Sequence, residues 1–444
     1  MEDAIRYPSV LNPYTAAVIV VDDADLALKL YNDLPPEASP QSPYLCKVGL
    51  KKRFFHCYSF IGLSLRVWFD ILTPKQVMFF KPAMDLFREA GHELLCTSRE
   101  YREVVELAKI KQIHLKIVGR HGGAGKYEKL CESANRIFEL SHTIKQFEPD
   151  VAIDFSSPEA SRVAFGLGIS HIGFNDSPHA EAVARLTIPL MDHLFSPWVI
   201  PYSAWNTFGI QKSRITRYRA LDPAAWLKRY PLSPSLRSNM INEIRLEVSK
   251  KNILIRLEET KASYIADKKI ENTISMIDAI VDNLSAISNI IILSRYEDQI
   301  LEITKRYEGK KAYVMQNVPD GTLLISLADL FIGAGGTMTA EAALLGKPTI
   351  SIAPVRFYVE KYLINSGLVK RAVDARNLLR LSKRMLSDKH YIRNQENRAR
   401  RILDSMDDPI DKMFTFITNH AQHSKVSKIY ENTPGSPVEE NKFR

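Results

Sequence analysis

The 444-residue sequence has few cysteines and no long hydrophobic run. Its four cysteines are scattered at Cys46, Cys57, Cys96 and Cys131. That distribution excludes a disulfide-rich scaffold and a paired-cysteine metal motif, and it is typical of a reducing compartment. No uncharged apolar run approaches the roughly 18 residues of a membrane span, and no signal-peptide pattern opens the sequence. We therefore expect a cytoplasmic protein.

Glycine is also scarce, with 19 in 444 residues against a usual share of about 7%. Ten of the nineteen lie in three clusters, at Gly119–Gly125, Gly166–Gly173 and Gly333–Gly336. Scarce glycine that is concentrated in loops indicates places where the backbone approaches another group closely. We expect the first cluster to be a flexible loop that faces a cleft, and the second to allow tight packing between a helix and a strand.

The remaining composition is that of an ordinary globular protein. There are 60 Lys and Arg against 51 Asp and Glu, with 45% hydrophobic and 25% charged residues. These values exclude wholesale disorder, and the length predicts two or three domains. The sequence has neither a nucleic-acid-binding module nor a basic and aromatic platform, so we expect no nucleic-acid partner.

From residue 66 onward, short apolar runs alternate with helical stretches, which predicts βαβ units and parallel sheets. We expect ligands at the carboxyl ends of the strands. The predicted strands are 67–71, 93–97, 114–118, 151–154 and 169–174, and in a second series 252–256, 289–293, 313–316, 330–332 and 349–352.

Prolines and changes in composition divide the chain into five segments. We expect a partly ordered N-terminal extension over 1–63 and a first α/β domain over 64–220. An interdomain connection over 221–251 leads to a second α/β domain with basic C-terminal helices over 252–420. The tail over 421–444 has the composition of a disordered segment.

The glycine cluster Gly333–Gly336 lies between a predicted buried strand and a helical stretch. Unpaired amide groups and a positive dipole make such a helix start a seat for a diphosphate. Gly335 and Gly336 let phosphate oxygens come close, and the Glu341 carboxylate one turn later can accept hydrogen bonds from a ribose. A glycine turn in which Glu341 only complements the helix dipole is the alternative. The segment is not a Walker A loop, because no Gly-Lys-Ser/Thr follows.

The pattern Gly-Gly-Thr-x-Thr-x-Glu-Ala-x-x-x-Gly-x-Pro, from Gly335 to Pro348, resembles the donor-nucleotide motif of UDP-sugar enzymes with the GT-B fold. These include the N-acetylglucosaminyltransferase that makes lipid II and the non-hydrolysing UDP-N-acetylglucosamine 2-epimerases. Further stretches resemble a poorly characterised, largely archaeal family grouped beside those epimerases. They are Trp68–Ile71, Phe79–Pro82, Glu148–Ile153, Arg162–Ile169 and Phe174–Asp176 with His179, and the similarity covers about 66–386.

The resemblance implies an α/β, GT-B-like fold in which two Rossmann-like parallel-sheet domains face a central cleft. The domain over 64–220, with the Gly119–Gly125 loop, would be the acceptor side, and the domain over 252–420 would bind the nucleotide sugar. It implies that Gly335, Gly336 and Thr337 contact the diphosphate and that Glu341 contacts the uridine ribose. The segment 315–319, which includes Val318, would hold the base through backbone contacts. The nucleotide sugar is then a substrate, and no metal or other cofactor is expected.

Polar residues at the predicted strand ends of the first half are the candidates for chemistry. They are Asp70, His121, Asp154, Asn175, Asp176 and His179. By the resemblance, Asp154 stands where the epimerase has a catalytic acid, and Asn175 stands where it has a second acid. The epimerase also has a histidine after the first strand of its second half, where this chain has Arg256 and no histidine. The absence of the second acid and of the histidine disfavours epimerisation, which needs several acid–base groups. Asp70, Asp154 and Asp176 can alternatively cap the next helix.

Our leading hypothesis is a GT-B-type glycosyltransferase with a UDP-sugar donor and no metal. Inverting transfer needs one base, for which Asp154, Asp176, His179 and His121 are candidates. Arg256, which suits phosphate binding, and the glycine loop would stabilise the departing UDP. The alternatives are a UDP-N-acetylglucosamine 2-epimerase-like isomerase and a non-catalytic protein that binds a nucleotide sugar or an anionic surface.

A basic stretch lies near the C-terminus, with eleven Lys and Arg between Lys370 and Arg401 against three acids. A solvated helix face is one interpretation. The other is a surface for anionic lipid, with peripheral contact at the inner face of the membrane and a lipid-linked acceptor. The sequence leaves the sugar, the acceptor and the oligomeric state open.

Overall fold

The computed structural model describes residues 17–21, 46–50, 64–123, 125–229, 234–244, 246–257, 271–294, 297–315 and 320–419. Within the predicted extension, strands β1 (Ala17–Val21) and β2 (Cys46–Leu50) pair in parallel as a two-stranded sheet. The rest of the extension, Val318 and the predicted tail lie outside the described residues.

The first α/β domain is built on a seven-stranded sheet in which every pairing is parallel. Its strands are β3 (Arg66–Asp70), β4 (Glu93–Glu100), β5 (Lys116–Arg120), β6 (Val151–Asp154), β7 (Ser170–Phe174), β8 (His193–Pro197) and β9 (Ile215–Tyr218). They lie in the order β5-β4-β3-β6-β7-β8-β9, so the strand order reverses between β3 and β6. A reversal of this kind opens a crevice at the carboxyl ends of the strands.

Seven helices lie in or directly after this domain. They are α1 (Pro74–Glu89), α2 (Arg102–Ile110), α3 (Lys126–Phe147), α4 (Pro158–Leu167), α5 (Glu181–Thr187), α6 (Ser203–Asn206) and α7 (Ala224–Leu227). Local sequence sets their ends. Pro74 starts α1 with a backbone angle already suited to a helix. The Ser157 side chain caps α4 by accepting a hydrogen bond from the Ala160 amide.

The second α/β domain has a six-stranded parallel sheet in the order β12-β11-β10-β13-β14-β15. Its strands are β10 (Lys251–Arg256), β11 (Ser288–Leu293), β12 (Ala312–Met315), β13 (Leu330–Gly333), β14 (Thr349–Ser351) and β15 (Lys370–Arg371). The helices are α8 (Pro234–Ile244), α9 (Glu271–Leu284), α10 (Glu297–Arg306), α11 (Gly321–Leu327), α12 (Thr337–Leu344), α13 (Tyr358–Asn365), α14 (Ala375–Ser387) and α15 (Lys389–Asp404), and residues 409–419 are helical as well.

The core of the second domain follows the alternation of side chains along its central strands. Ile253 and Ile255 of β10 pack in a cluster on one face, whereas Leu254 packs with Phe331 in a cluster on the other. Both faces of the sheet are therefore covered by apolar side chains, as an all-parallel sheet requires. Full burial of each such side chain stabilises the fold by roughly 1.5–3 kcal/mol.

The last described helical segment returns to the first domain. The Phe414 ring lies 4.9 Å from the Phe87 ring, and Arg229 forms ion pairs with Asp408 and Asp411. The sequence pattern assigns this segment to the second domain, which it follows in the chain. Its contact with a distant helix of the first domain leaves no local signal in the sequence. Within the described residues, every helix is too short or too polar to span a bilayer.

The predicted basic stretch forms α14 and α15. On α14, Leu378 and Met385 are buried, whereas Arg376, Arg380 and Lys383 are exposed. The basic side chains therefore form a solvated face, and contact with anionic lipid remains a prediction.

Candidate functional site

A cavity of about 630 Å³ lies between the two sheets of the α/β domains. Its walls include the loops that follow β3, β6, β7 and β9 in the first domain and β10, β11, β13 and β14 in the second. These loops lie at the carboxyl ends of parallel strands, where ligands of this architecture bind. The structure thus places the cavity at the edge of the sheets that the sequence predicted.

The glycine loop after β13 forms the second-domain wall. Gly335 has φ +98°, and Gly336 has φ +79° with ψ −168°, a backbone region that is essentially restricted to glycine. Gly336 is the N-cap residue of α12 and has no side chain with which to cap the helix. The first amide groups of α12 therefore face the cavity without a side-chain cap, which suits an anion. Gly335, Gly336 and Thr337 all line the cavity.

Glu341 also lines the cavity and is only 4% exposed. Its Oε1 atom accepts a hydrogen bond of 2.8 Å from the Trp226 indole and another from the Thr322 hydroxyl. Burial raises the pKa of Glu341 to about 7, although these two hydrogen bonds oppose the shift. Among the described side chains none donates to Oε2, so that oxygen can accept a hydrogen bond from a ligand. Arg256, at the end of β10, lines the same cavity.

The loop after β7 supplies the opposite wall through Asn175 and Asp176. The Asn175 amide donates to the Ser156 hydroxyl, and its oxygen accepts from the Ser177 amide. Asp176 accepts a hydrogen bond of 2.6 Å from the Lys75 ammonium and another from the Ser177 hydroxyl. Burial would raise the pKa of Asp176, but Lys75 outweighs it and lowers the pKa to about 2.

Sequence reasoning missed three groups beside Asp176. Lys75, the second residue of α1, also lies 2.6 Å from the Asp222 carboxylate, and Tyr218 donates to Asp222 over 2.5 Å. Burial and the Asp176 charge raise the pKa of Asp222 to about 6, although Lys75 and Tyr218 lower it. Lys75 and Asp222 line the cavity. The position of Asp222 just after a strand was the available signal, but β9 was not predicted.

The two candidate histidines lie in different places. The His179 ring lines the cavity and stacks on the Phe357 ring of the second domain, with centroids 3.4 Å apart. Burial lowers the pKa of His179 to about 4, against the pull of Asp176, so the imidazole is neutral at pH 7. His121 is exposed and does not line the cavity, which corrects its expected position. Its Nδ1 accepts from the Gly123 amide, and its ring stacks on Tyr101.

Asp70 and Asp154 are buried away from the cavity, which corrects the expectation that both face the cleft. The Arg136 guanidinium donates to both oxygens of Asp70, over 2.6 and 3.1 Å. Asp154 lies 2.7 Å from the His171 ring and accepts a hydrogen bond from the Ser157 amide. Burial would lower the pKa of His171, but Asp154 raises it above its usual value. Both carboxylates therefore serve the packing of the first domain.

Among the described residues, no group of three or more His, Cys, Asp or Glu side chains could hold a metal ion. The groups that face the cavity from the two domains are instead amides, Arg256, Lys75, carboxylates and a neutral imidazole.

Residues 65–422 match the model of a family described as "Protein of unknown function (DUF354)". The chain belongs to this DUF354 family. It is similar to the uncharacterized protein MJ0665 of Methanocaldococcus jannaschii, with 28% identity over 365 residues that cover 81% of this chain and 99% of the relative. The predicted family, which is poorly characterised and has an archaeal member, is thereby confirmed.

Two solved structures show the fold of this DUF354 protein. The M. jannaschii UDP-GlcNAc 2-epimerase in complex with UDP-GlcNAc and UDP has a TM-score of 0.59 at 16% identity, covering 77% of this chain and 99% of its own. Spinosyn forosaminyltransferase SpnP has a TM-score of 0.51 at 14% identity, covering 82% and 99%. The predicted GT-B-like fold with two parallel-sheet domains is confirmed. At these identities the likeness concerns the fold alone.

Proposed function

We propose that this DUF354 protein is a GT-B-type glycosyltransferase that uses a UDP-sugar donor without a metal. The proposal rests on one observation: the two domains contribute different chemical groups to one cavity. The second domain contributes an uncapped helix start, a cation and a carboxylate, which suit a nucleoside diphosphate. The first domain contributes groups that can accept a proton. Glycosyl transfer needs both of these.

In the proposed donor complex, the amides at Gly335, Gly336 and Thr337 hold the diphosphate. Arg256 holds a phosphate oxygen by its guanidinium, which has the geometry for this contact. The ribose hydroxyls donate to Oε2 of Glu341, whose orientation is fixed because Oε1 is already bound by the Trp226 indole. Base recognition by the backbone around Val318 remains a prediction.

The proposed reaction is a single displacement at the anomeric carbon. The acceptor oxygen forms a bond to C1 of the sugar as the bond from C1 to the diphosphate oxygen breaks, and that electron pair leaves with UDP. A base on the first-domain wall takes the proton of the acceptor hydroxyl. The helix start and Arg256 stabilise the charge that develops on the diphosphate, in place of a metal ion.

Two observations favour transfer over epimerisation at C2. Asn175, at the position of an expected second acid, has both ends of its amide engaged in hydrogen bonds with the protein and cannot act as an acid–base group. In addition, M. jannaschii has both a relative of this chain and a separate UDP-GlcNAc 2-epimerase. A second protein of this fold in one organism is better explained by a different reaction.

Thermal-shift measurements with UDP, UDP-GlcNAc and GDP- and dTDP-linked sugars test the donor site. We expect UDP compounds to stabilise the parent, and Glu341→Ala to weaken UDP binding roughly ten- to a hundred-fold, because a hydrogen bond to a charged group contributes about 1.5–3 kcal/mol. Trp226→Phe is the matched control, since it removes the indole donor to Glu341 and leaves the carboxylate. It should weaken UDP binding less.

The outcomes separate the alternatives. Release of UDP that depends on an added acceptor supports transfer, whereas deuterium uptake at C2 of UDP-GlcNAc supports the isomerase. If no nucleotide stabilises the protein, the proposal is wrong. If Glu341→Ala binds UDP as tightly as the parent, the nucleotide site has been assigned to the wrong residues.

A further inference from the structure

The first domain has an apolar face on its outer surface, away from the cavity. Helices α3, α4 and α5 connect β5 to β6, β6 to β7 and β7 to β8, all in one direction across the sheet. Right-handed crossovers therefore place the three helices on the same side of the sheet, where α3 packs against α4 and α4 against α5. Six large apolar side chains of this helical layer are exposed, namely Tyr127 by 74%, Leu130 by 69%, Phe138 by 66%, Phe165 by 62%, Leu186 by 59% and Leu167 by 44%.

The size of this face is that of a protein interface. An aromatic side chain has about 150–250 Å² of surface, so the three rings alone expose roughly 400 Å². With the three leucines the exposed apolar area reaches roughly 700 Å². That is more than the largest apolar patch of a typical monomer, about 300–600 Å², and close to the ~800 Å² that each partner contributes to a standard interface.

The outward residues of α3 form a stripe that is symmetric along the helix. Tyr127, Leu130, Ala134, Phe138 and Ser141 follow one another at intervals of three or four residues and therefore share one helix face. Ala134 is the midpoint of the stripe. If two copies of α3 cross antiparallel at Ala134, Leu130 of each copy opposes Phe138 of the other, and Tyr127 opposes Ser141.

The sizes and polarities of these side chains suit such a crossing. Ala134 lets the two backbones approach where the helices cross, and the small Ser141 leaves room for the Tyr127 ring. The Ser141 hydroxyl already donates to the Phe138 carbonyl of its own helix. Its burial in an interface would therefore leave no hydroxyl donor unpaired.

We infer that this face is the interface of a two-fold symmetric dimer of the chain, in which α3 packs antiparallel on α3 of the second copy across Ala134. A two-fold interface is self-complementary, because residue i contacts residue j and j contacts i, which is the relation between Leu130 and Phe138. Phe165 and Leu186 extend the contact onto α4 and α5. The inference goes beyond the proposed function and does not depend on it, since these residues do not line the cavity.

The charges around the face favour a second copy of the chain over an anionic bilayer. Each exposed ring of α3 is followed by an exposed glutamate, Glu128 after Tyr127 and Glu139 after Phe138. Basic side chains are exposed on the three helices as well, at Lys126, Lys129, Lys145, Arg162 and Arg185. A bilayer-binding surface carries basic side chains around its apolar ones, and acids beside the inserted rings would oppose that contact. An apolar centre with charges of both signs at its rim is instead typical of a protein interface.

Sedimentation equilibrium at micromolar concentrations tests the dimer. We expect the parent to sediment at twice the chain mass of 50.5 kDa. Leu130→Glu places an unpaired charge against the partner's Phe138 in both symmetric halves of the interface, so it should weaken the dimer at least about a hundred-fold. Leu301→Glu is the matched control, because Leu301 is 71% exposed on α10 of the second domain, outside the face. This variant should remain a dimer.

Disulfide trapping tests the crossing point without disturbing the apolar stripe. With Cys46→Ser, Cys57→Ser and Cys131→Ser as the background, Ala134→Cys places a thiol on the two-fold axis, where it meets its own copy. Mild oxidation should link most of the chains in pairs. Asn135→Cys is the control, because Asn135 is also exposed but lies about 100° further round the helix, so its two copies are on opposite sides of the axis. It should stay unlinked.

The results that would overturn the inference are distinct from those that would overturn the proposed function. A parent that sediments as one chain excludes the dimer, and its binding to phosphatidylglycerol vesicles would then assign the face to a membrane. A dimer that Leu130→Glu leaves intact uses another face. Linkage through Asn135→Cys and not through Ala134→Cys excludes the antiparallel crossing at Ala134. Failure of every nucleotide to bind overturns the proposed function and leaves the dimer unaffected.

Discussion

At the scale of single residues, Gly336 offers a direct test of the diphosphate seat. Its φ of +79° and ψ of −168° are strained for any residue with a side chain, by about 1–3 kcal/mol. An added Cβ would meet no heavy atom within 4 Å, so Gly336→Ala changes the backbone preference without a steric clash. We expect this variant to melt at a lower temperature and to bind UDP at least ten-fold more weakly, as measured by calorimetry.

Gly209→Ala is the control for that substitution. Gly209 shares the φ of +79° and the open surroundings, but it does not line the cavity. It should therefore lose stability while its dissociation constant for UDP stays at the parental value. Equal UDP affinity in the two variants would mean that the conformation of Gly336 does not serve nucleotide binding.

At the scale of elements, one arginine ties a helix to the ends of two strands. Arg136 of α3 is 1% exposed, pairs with Asp70 at the end of β3, and donates to the Val118 carbonyl of β5. Arg136→Met leaves the Asp70 carboxylate buried without its partner, which should lower the free energy of unfolding by about 3–5 kcal/mol. Urea denaturation measures this change. The folded variant should bind UDP normally, since neither residue lines the cavity.

The double variant Arg136→Met with Asp70→Asn distinguishes packing from ligand binding. Removing both charges should recover part of the stability, because Asp70 is then no longer a buried ion without its partner and only Glu159 has lost its ion pair with Arg136. If Asp70→Asn alone weakens UDP binding and leaves stability unchanged, Asp70 acts on the ligand, as the sequence suggested.

The strands and the residues that follow them show how much of the fold and site the sequence predicts. The ten strands predicted from apolar runs are all present, each end within three residues, because runs such as Ser288–Leu293 are buried throughout. Strands β2, β8, β9 and β15 were not predicted, and because β9 was missed Asp222 was assigned to an interdomain connection. A polar residue after a strand can face a ligand or a buried partner. Which of the two applies depends on distant residues: Arg136 lies 66 residues from Asp70 in the sequence, so no local pattern predicts their contact.

At the scale of the whole α/β region, ion pairs and ring contacts join the two domains. Lys111 of the first domain forms an ion pair of 2.7 Å with Asp320 of the second, and the Trp198 and Tyr362 rings meet at 4.9 Å. The stack of His179 on Phe357 involves a candidate site residue of the first domain directly. Closure of the domains and the protonation of His179 should therefore be linked.

Phe357→Ala tests that link. Burial holds the pKa of His179 at about 4, and loss of the covering ring should let it rise toward the ordinary value of about 6.5. In the parent, His179 takes up a proton below pH 6.5 in the unfolded chain but only near pH 4 in the folded chain. Stability therefore falls as the pH drops from about 6.5 toward 4. That fall should be smaller in the variant.

Imidazole NMR titration measures the pKa of His179. Phe416→Ala is the control: it removes a ring from His193 instead and should leave the pKa of His179 unchanged. A His179 pKa near 4 in Phe357→Ala would show that the first domain alone buries this histidine.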